Sequence, residues 1–517
     1  MPTDPARSAH RRAALVALWL VGSVGAAAAQ GTAETGPDGA PVSAVPWLSD
    51  ILRAPAGSAD EPAATPLASS SITVTALGAT RRDAVGLLPA AMTGLPRDLW
   101  GESDPARLAA LLGRQPQGAL PAIGALVRRL LLAELDPPRA AADGDVLFFA
   151  RIDTLLRLGA LDEAQALLEQ AGATDPDAFR RWFDVSLLTG HDAQACEAMT
   201  DNPGIAPTLP ARVFCLSRTG DWPAAALTLE TGRALGAITP EEDALLFHFL
   251  DPELAEGLDP PVPPRVMTPL AFRLLDGIGE TPATRDLPLA FAVADLRATS
   301  GWKQQIEAAE RLTRVGAIDP NRLLSLYTDR RPSASGGVWE RAAAVQRLDA
   351  ALSGGDPAAV AAALPDAVAR MEEAGLVPAL ATLFGEAVGR LDLSGPGGAA
   401  ARRLALLSPG YAAAAEAMEP EGRAERFAVS VARGTPADPP EGMVAQAVAD
   451  GLVATPPDDL AELAAGGRLG EAILQAALML SGGAETDPGD IVDGLAFLRS
   501  VGLEDAARQT ALEILLL

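Results

Sequence analysis

Ser300-Gly-Trp-Lys303 has the S-x-x-K spacing of serine acyl-enzymes, in which a lysine one helical turn on draws the proton from the serine. The companion K-T-G element of such enzymes cannot occur here, because Lys303 is the only lysine in the chain. The stretch also coincides with a turn expected at Gly301, which favours a structural reading. Zinc needs three or four Cys, His or carboxylate ligands at close spacing. Beyond residue 29 the chain has only His191 and His248, with no Cys or His partner at i+3 or i+4. His191 is expected at a helix start, and His248, in ALLFHFL, at the edge of a core. DPGDIVDG (487–494) lacks the alternating acids of a calcium loop. GPGGAA (395–400) has the form G-x-G-x-x-A, but no strand precedes it and no acid follows at the nucleotide-binding distance, so it is expected to be a loop. The acid pairs Glu372-Glu373 and Asp458-Asp459 read as solvated helix ends. No catalytic, cofactor-binding or metal residue is assigned.

Two cysteines remain, Cys196 and Cys215. In an oxidising compartment such a pair favours a disulfide over a catalytic dyad. They are expected on the second helix of one hairpin and the first helix of the next, where a bridge would pin the interface.

The elements around these residues are helical from about residue 81 onward. VLFFARIDTLLRLGALDEAQALLEQAG (146–172) sets Leu147, Ile152, Leu155 and Leu156 on one face, breaks at Gly159, and resumes through Ala164, Leu167 and Leu168. This is a helical hairpin. Turn glycines recur at Gly159, Gly190, Gly220, Gly301, Gly355, Gly467 and Gly502. Five residues after each stands a small or apolar residue: Ala164, Ala195, Ala225, Ile306, Val360, Ala472 and Ala507. A short side chain there lets the second helix approach the first. Pro176 and Pro207 are expected to stop second helices. GLDPPVPPRVMTP (257–269), with five prolines, cannot be helix interior. RPSASGGV (331–338), LSGPGGA (393–399) and RGTPADPPEG (433–442) read as shorter loops.

The G-x-x-x-x-A step with a proline near the repeat end resembles the tetratricopeptide-repeat (TPR) superfamily, best over 145–235 and 459–517. The resemblance implies an all-α fold of TPR-like hairpins stacked as an α-solenoid, with a concave surface for peptides or proteins. The chain is also similar to a group of exported alphaproteobacterial proteins, on WLS near the mature start, LPRDLWG (95–101) and ARIDTLLRLGALDEAQALLEQAG (150–172). Members sometimes carry an antifreeze-glycopeptide label, but the tandem Ala-Ala-Thr repeats that label requires are absent.

Residues 1–29 read as a signal peptide. Arg7, Arg11 and Arg12 precede the apolar run AALVALWLVGSVG (13–25), and Ala27-Ala28-Ala29 suits cleavage before Gln30. The run is short for a membrane span, and no span is expected after cleavage. The expected location is the periplasm. The segment carries three Arg against one Asp, so its removal takes the net charge from −26 to −28. That balance disfavours nucleic acid and anionic membrane surfaces. Residues 30–80 are poor in apolar groups and read as a disordered tether. Within it Trp47, Leu48, Ile51 and Leu52 line one face of a short helix, a candidate docking motif. SITVTAL (71–77) alternates like a strand. The expected organisation is an N-terminal array (81–256), a proline-rich linker (257–269) and a C-terminal array (270–517). The expected function is that of an exported scaffold or adaptor for protein or peptide partners in the cell envelope, without a cofactor. The alternatives are a peptidoglycan-acting enzyme on a helical-repeat scaffold and a structural subunit of an envelope complex.

Overall fold

Where the turn glycines stand, the backbone needs a conformation that other residues resist. In the computed structural model, which describes residues 81–141 and 145–517, six of the seven take positive φ between 62° and 88°. Such a residue ends a helix and frees the chain to reverse. The residues five positions on are all buried, none more than 1 % exposed. Gly301 differs. Its φ is −64°, and it is the N-cap of the helix Trp302–Arg314, donating its N–H to Gln304 Oε1 at 3.1 Å. The readings that fall on residues 1–80 lie outside the described residues. These are the signal peptide, the tether, the motif Trp47, Leu48, Ile51 and Leu52, and SITVTAL.

Among the described residues there are 26 α-helices and five short 3₁₀ turns, and no strand. The fold there is all-α. Many helices begin at an Asp or Thr followed by proline, as at Asp104-Pro105, Asp175-Pro176, Thr239-Pro240, Asp319-Pro320, Asp356-Pro357 and Asp487-Pro488. In each the acid or hydroxyl accepts a free N–H of the first turn. The proline sits where its missing N–H costs nothing. This corrects the reading of Pro176, which opens the helix Pro176–Thr189 and stops none.

GPGGAA is likewise not a loop. It is the first turn and a half of the helix Gly395–Leu407. A Cβ at Gly397 would lie 2.7 Å from the Ala361 carbonyl oxygen, and one at Gly398 only 2.2 Å from that of Leu393. The glycines serve close packing. The stretch 257–268 has no helix, except that the short helix Pro252–Ala255 ends just before it, and Pro269 opens the next helix, Pro269–Gly277.

Successive helices pair as hairpins, for example Val146–Arg157 with Leu161–Ala171, and Val338–Ser353 with Pro357–Glu372. The first helices also pack on the last. Pro105–Arg114 meets Leu469–Met479, and Pro121–Leu132 meets Glu504–Leu516. At this junction Gly470 gives way to the Trp100 ring, Glu102 donates its N–H to the Gly467 carbonyl at 3.0 Å, and Gln115 Nε2 reaches the Leu474 carbonyl at 3.1 Å. One buried apolar cluster therefore runs from Val85 to Ala294, on both sides of residues 257–268, and resumes from Leu406 to Ile514. A second fills the middle, from Ile306 to Leu404.

Arg151 ties down the start of the described chain. It is 1 % exposed. Its guanidinium donates to the carbonyls of Leu131 and Val85 at 2.8 Å and of Asp83 and Ala133 at 3.3 Å. The Asp83 carboxylate in turn accepts the Phe148 N–H at 2.8 Å.

Candidate functional site

The residues proposed for chemistry are not brought together. Lys303 pairs with Glu307 at 3.5 Å along its own helix and leaves Ser300 without a base. His191 is the N-cap of Asp192–Asp201. His248 is half-buried, its Nδ1 against the Ala244 carbonyl at 2.8 Å. Among the described residues no three His, Cys, Asp or Glu side chains gather as a metal site. Glu310, Tyr327 and Arg341 do meet inside the middle core, but as a closed set. Glu310 accepts Tyr327 Oη at 2.8 Å and both ends of the Arg341 fork at 2.8 and 2.5 Å. Burial, then the Glu310 carboxylate, pushes the Tyr327 phenol well above its usual range. Such a group neither gives up its proton readily nor offers a free nucleophile.

The surface is more informative. Twelve large apolar side chains are exposed among the described residues, and seven fall within 222–266: Trp222, Leu227, Leu235, Leu254, Leu258, Val262 and Val266. The helix Trp222–Ala234 explains the concentration. Ala225, Leu229 and Gly232 face inward, while Pro223, Leu227, Thr231 and Ala234 stand exposed at helical spacing on another side. Leu227 is 69 % exposed and Leu235, just past the helix, 73 %. The helix thus has two apolar faces, and one is open. Exposed apolar surface concentrated in this way marks an interaction site more often than a chance scatter does.

The helix Trp222–Ala234 stands on a braced support. The helix Leu209–Arg218 packs beneath Trp222–Ala234 and carries Cys215, which is joined by a disulfide to Cys196 on Asp192–Asp201, with the Cα atoms 4.9 Å apart. Asp192, buried at the start of that helix, accepts Arg218 at 2.9 Å and has Arg273 at 3.7 Å. Asp276 continues the set, with Arg273 at 2.6 Å and Arg297 at 3.2 Å. Against the pull of burial, Thr281 and the two guanidinium groups hold the Asp276 carboxyl below its usual range. Charged groups thus tie Asp192–Asp201, Leu209–Arg218 and Pro269–Gly277 together.

The bridge closes a loop with a sequence separation of 19. Closing a loop of that length contributes about 3 kcal/mol. The double variant Cys196→Ser, Cys215→Ser is expected to lose about that much in urea unfolding. Dithiothreitol should shift the midpoint of the wild type and leave that of the variant unchanged. Two free thiols counted in denatured, unreduced protein would contradict the pairing.

Comparison with protein families, with curated proteins and with solved structures finds no match to this chain. Its site is defined by its own geometry.

Proposed function

We propose that the protein is an exported helical-repeat scaffold or adaptor, with TPR-like hairpins stacked as a solenoid, that holds protein partners in the bacterial periplasm after loss of residues 1–29. The observation that carries this reading is the open apolar face of Trp222–Ala234, with Leu235 exposed just past it. An amphipathic helix or extended apolar segment of a partner covers such a face by the same rules that bury a helix within a domain. The rigid support limits the ordering cost of binding. The segment with Trp47, Leu48, Ile51 and Leu52 enters the same reading as a second docking element.

The test exchanges Leu227 and Leu235 for Asp. Both side chains are largely exposed, so the fold is expected to persist, as a thermal melt would verify. A photo-crosslinking residue at Thr231 is expected to trap one or a few defined periplasmic proteins in the wild type and none in the variant. An identical crosslinked set in both would overturn the reading.

A further inference from the structure

The backbone of DPPVPP (259–264) is constrained at every residue. Pro260, Pro261, Pro263 and Pro264 carry rings that hold φ at about −65°. Asp259, Pro260, Val262 and Pro263 each precede a proline, which keeps them extended. The structure agrees. No helix or strand covers 259–267, and among the described residues no N–H or carbonyl of this stretch enters a hydrogen bond. This is the polyproline II form, with about three residues per turn and a backbone left open to water or to another chain.

Burial along the segment follows that period. Pro261 is buried and Pro264, one turn on, is half-buried. Asp259, Pro260, Val262, Pro263 and Arg265 are exposed, Val262 by 79 %. One edge therefore lies on the protein, and the other two face outward. The outward edges present the dipeptides Asp259-Pro260 and Val262-Pro263, followed by Arg265. Both ends are anchored. The flanking helices Pro252–Ala255 and Pro269–Gly277 pack on the same helix, Pro240–Leu250. Met267, 5 % exposed, fastens the chain just before the second of them.

That arrangement selects a kind of partner. Segments of the form P-x-x-P dock in aromatic-lined grooves, where ring faces take successive x-Pro dipeptides from two edges of the polyproline helix. The third edge is not needed for the contact, and here it is the one turned to the protein. Arg265 completes the pattern P-x-x-P-x-R with Pro260 and Pro263. It is the only Lys or Arg between residues 234 and 272, and it forms no ion pair or hydrogen bond among the described residues. A guanidinium so placed fits a carboxylate beside the groove. Because the segment is held extended before binding, the ordering cost of docking is low.

We propose that residues 259–265 are a docking strip for a partner protein domain whose aromatic-lined groove is flanked by acidic residues, the groove type of SH3 domains. Val262-Pro263 and Asp259-Pro260 fill the groove, and Arg265 sets the direction of docking. The strip does not include the open face of Trp222–Ala234, so either surface binds without the other.

Calorimetry on the full chain tests it, with a purified SH3 domain that takes P-x-x-P-x-R ligands as the probe. The domain is expected to bind the wild type at a single site, and the same domain with its groove tryptophan changed to alanine should not bind. Pro263→Ala and Arg265→Glu should each weaken binding about tenfold, the scale of one ring contact or one charge-assisted pair. Both positions are exposed, so the melting temperature should not move. Pro264→Ala, on the edge turned to the protein, should stay within about twofold of the wild type. The Leu227→Asp, Leu235→Asp variant should bind the domain as the wild type does, which separates this strip from the helix face. No binding to the wild type, equal losses from Pro263→Ala and Pro264→Ala, or undiminished binding by Arg265→Glu would overturn the proposal.

Discussion

Replacing Arg151 with Leu is expected to destabilise the protein by about 3–5 kcal/mol, the cost of removing one partner from a buried charged set. The side chain is one of the largest fully buried groups in the described chain, and its hydrogen bonds hold four carbonyls from two separate stretches, 83–85 and 131–133. Burial pulls the guanidinium down to about 10, and Asp83 pulls it back, so it remains a cation at neutral pH. Leucine leaves the carbonyls without donors. It also removes one of the two cations, the other being Arg81, that act against the burial of the Asp83 carboxyl.

The loss should be local before it is global. Residues 82–88 hang on Arg151, on the Arg82 pairs to Asp145 and Asp175, and on the Leu87 and Leu88 amides, which bond the Leu132 carbonyl at 2.8 and 2.9 Å. In hydrogen exchange the amides of Leu87, Leu88 and Glu134 should lose protection first in Arg151→Leu. Arg151→Lys keeps the charge but not the fork, and should fall between the two. Unchanged protection at those three amides would show that the guanidinium is not the tie.

What was legible in the sequence follows from how local each determinant is. A turn glycine and the small residue five positions later lie within one hairpin, and the same close approach fixes both. That spacing therefore marked buried positions such as Ala164, Ala195 and Ala472. Pro176 was misread because a proline that cannot continue one helix is equally suited to begin the next, and only the preceding Asp175 separates the two cases. GPGGAA was misread because glycine is a poor helix former alone, and the close approach of Ala361 and Leu393 that selects it comes from other helices. The break at 257–268 was legible, because a proline restricts both itself and the residue before it. Which of its edges stays open was not, since the packing of the flanking helices decides that. Arg151 and Glu513 did leave a signal: Arg151 stands in the apolar run VLFFARIDTLL with only Asp153 beside it, and Glu513 is the single charge in ALEILLL, where a solvated face has little room.

Glu513 gives the second large effect, and it is a pH dependence. Leu120 at the start of Pro121–Leu132 provides no side-chain cap, and the last helix supplies the acceptor instead. The Glu513 carboxyl takes the Ala122 N–H at 3.0 and 3.1 Å, joining the first long helices to the end of the chain. Burial raises its pKa to about 8, with only the Ala122 N–H acting against the rise. In the unfolded chain a glutamate releases its proton near pH 4.3. Between these two values the folded state holds a proton that the unfolded state has lost, so stability falls as pH rises. The slope approaches 1.4 kcal/mol per pH unit, and the loss, on the order of 5 kcal/mol, is complete above about pH 8. Asp184, raised to about 7 mainly by burial, adds a fall of the same sign. Glu513→Gln keeps the shape and one acceptor oxygen and has no charge to bury. Urea midpoints at pH 5, 7 and 9 should therefore match the wild type closely at pH 5 and exceed it increasingly at pH 7 and 9. Asp184→Asn should remove only the lower-pH part of the fall. Parallel wild-type and Glu513→Gln curves across this range would mean that Glu513 is ionised in the folded protein throughout, with the helix N-terminus outweighing its burial.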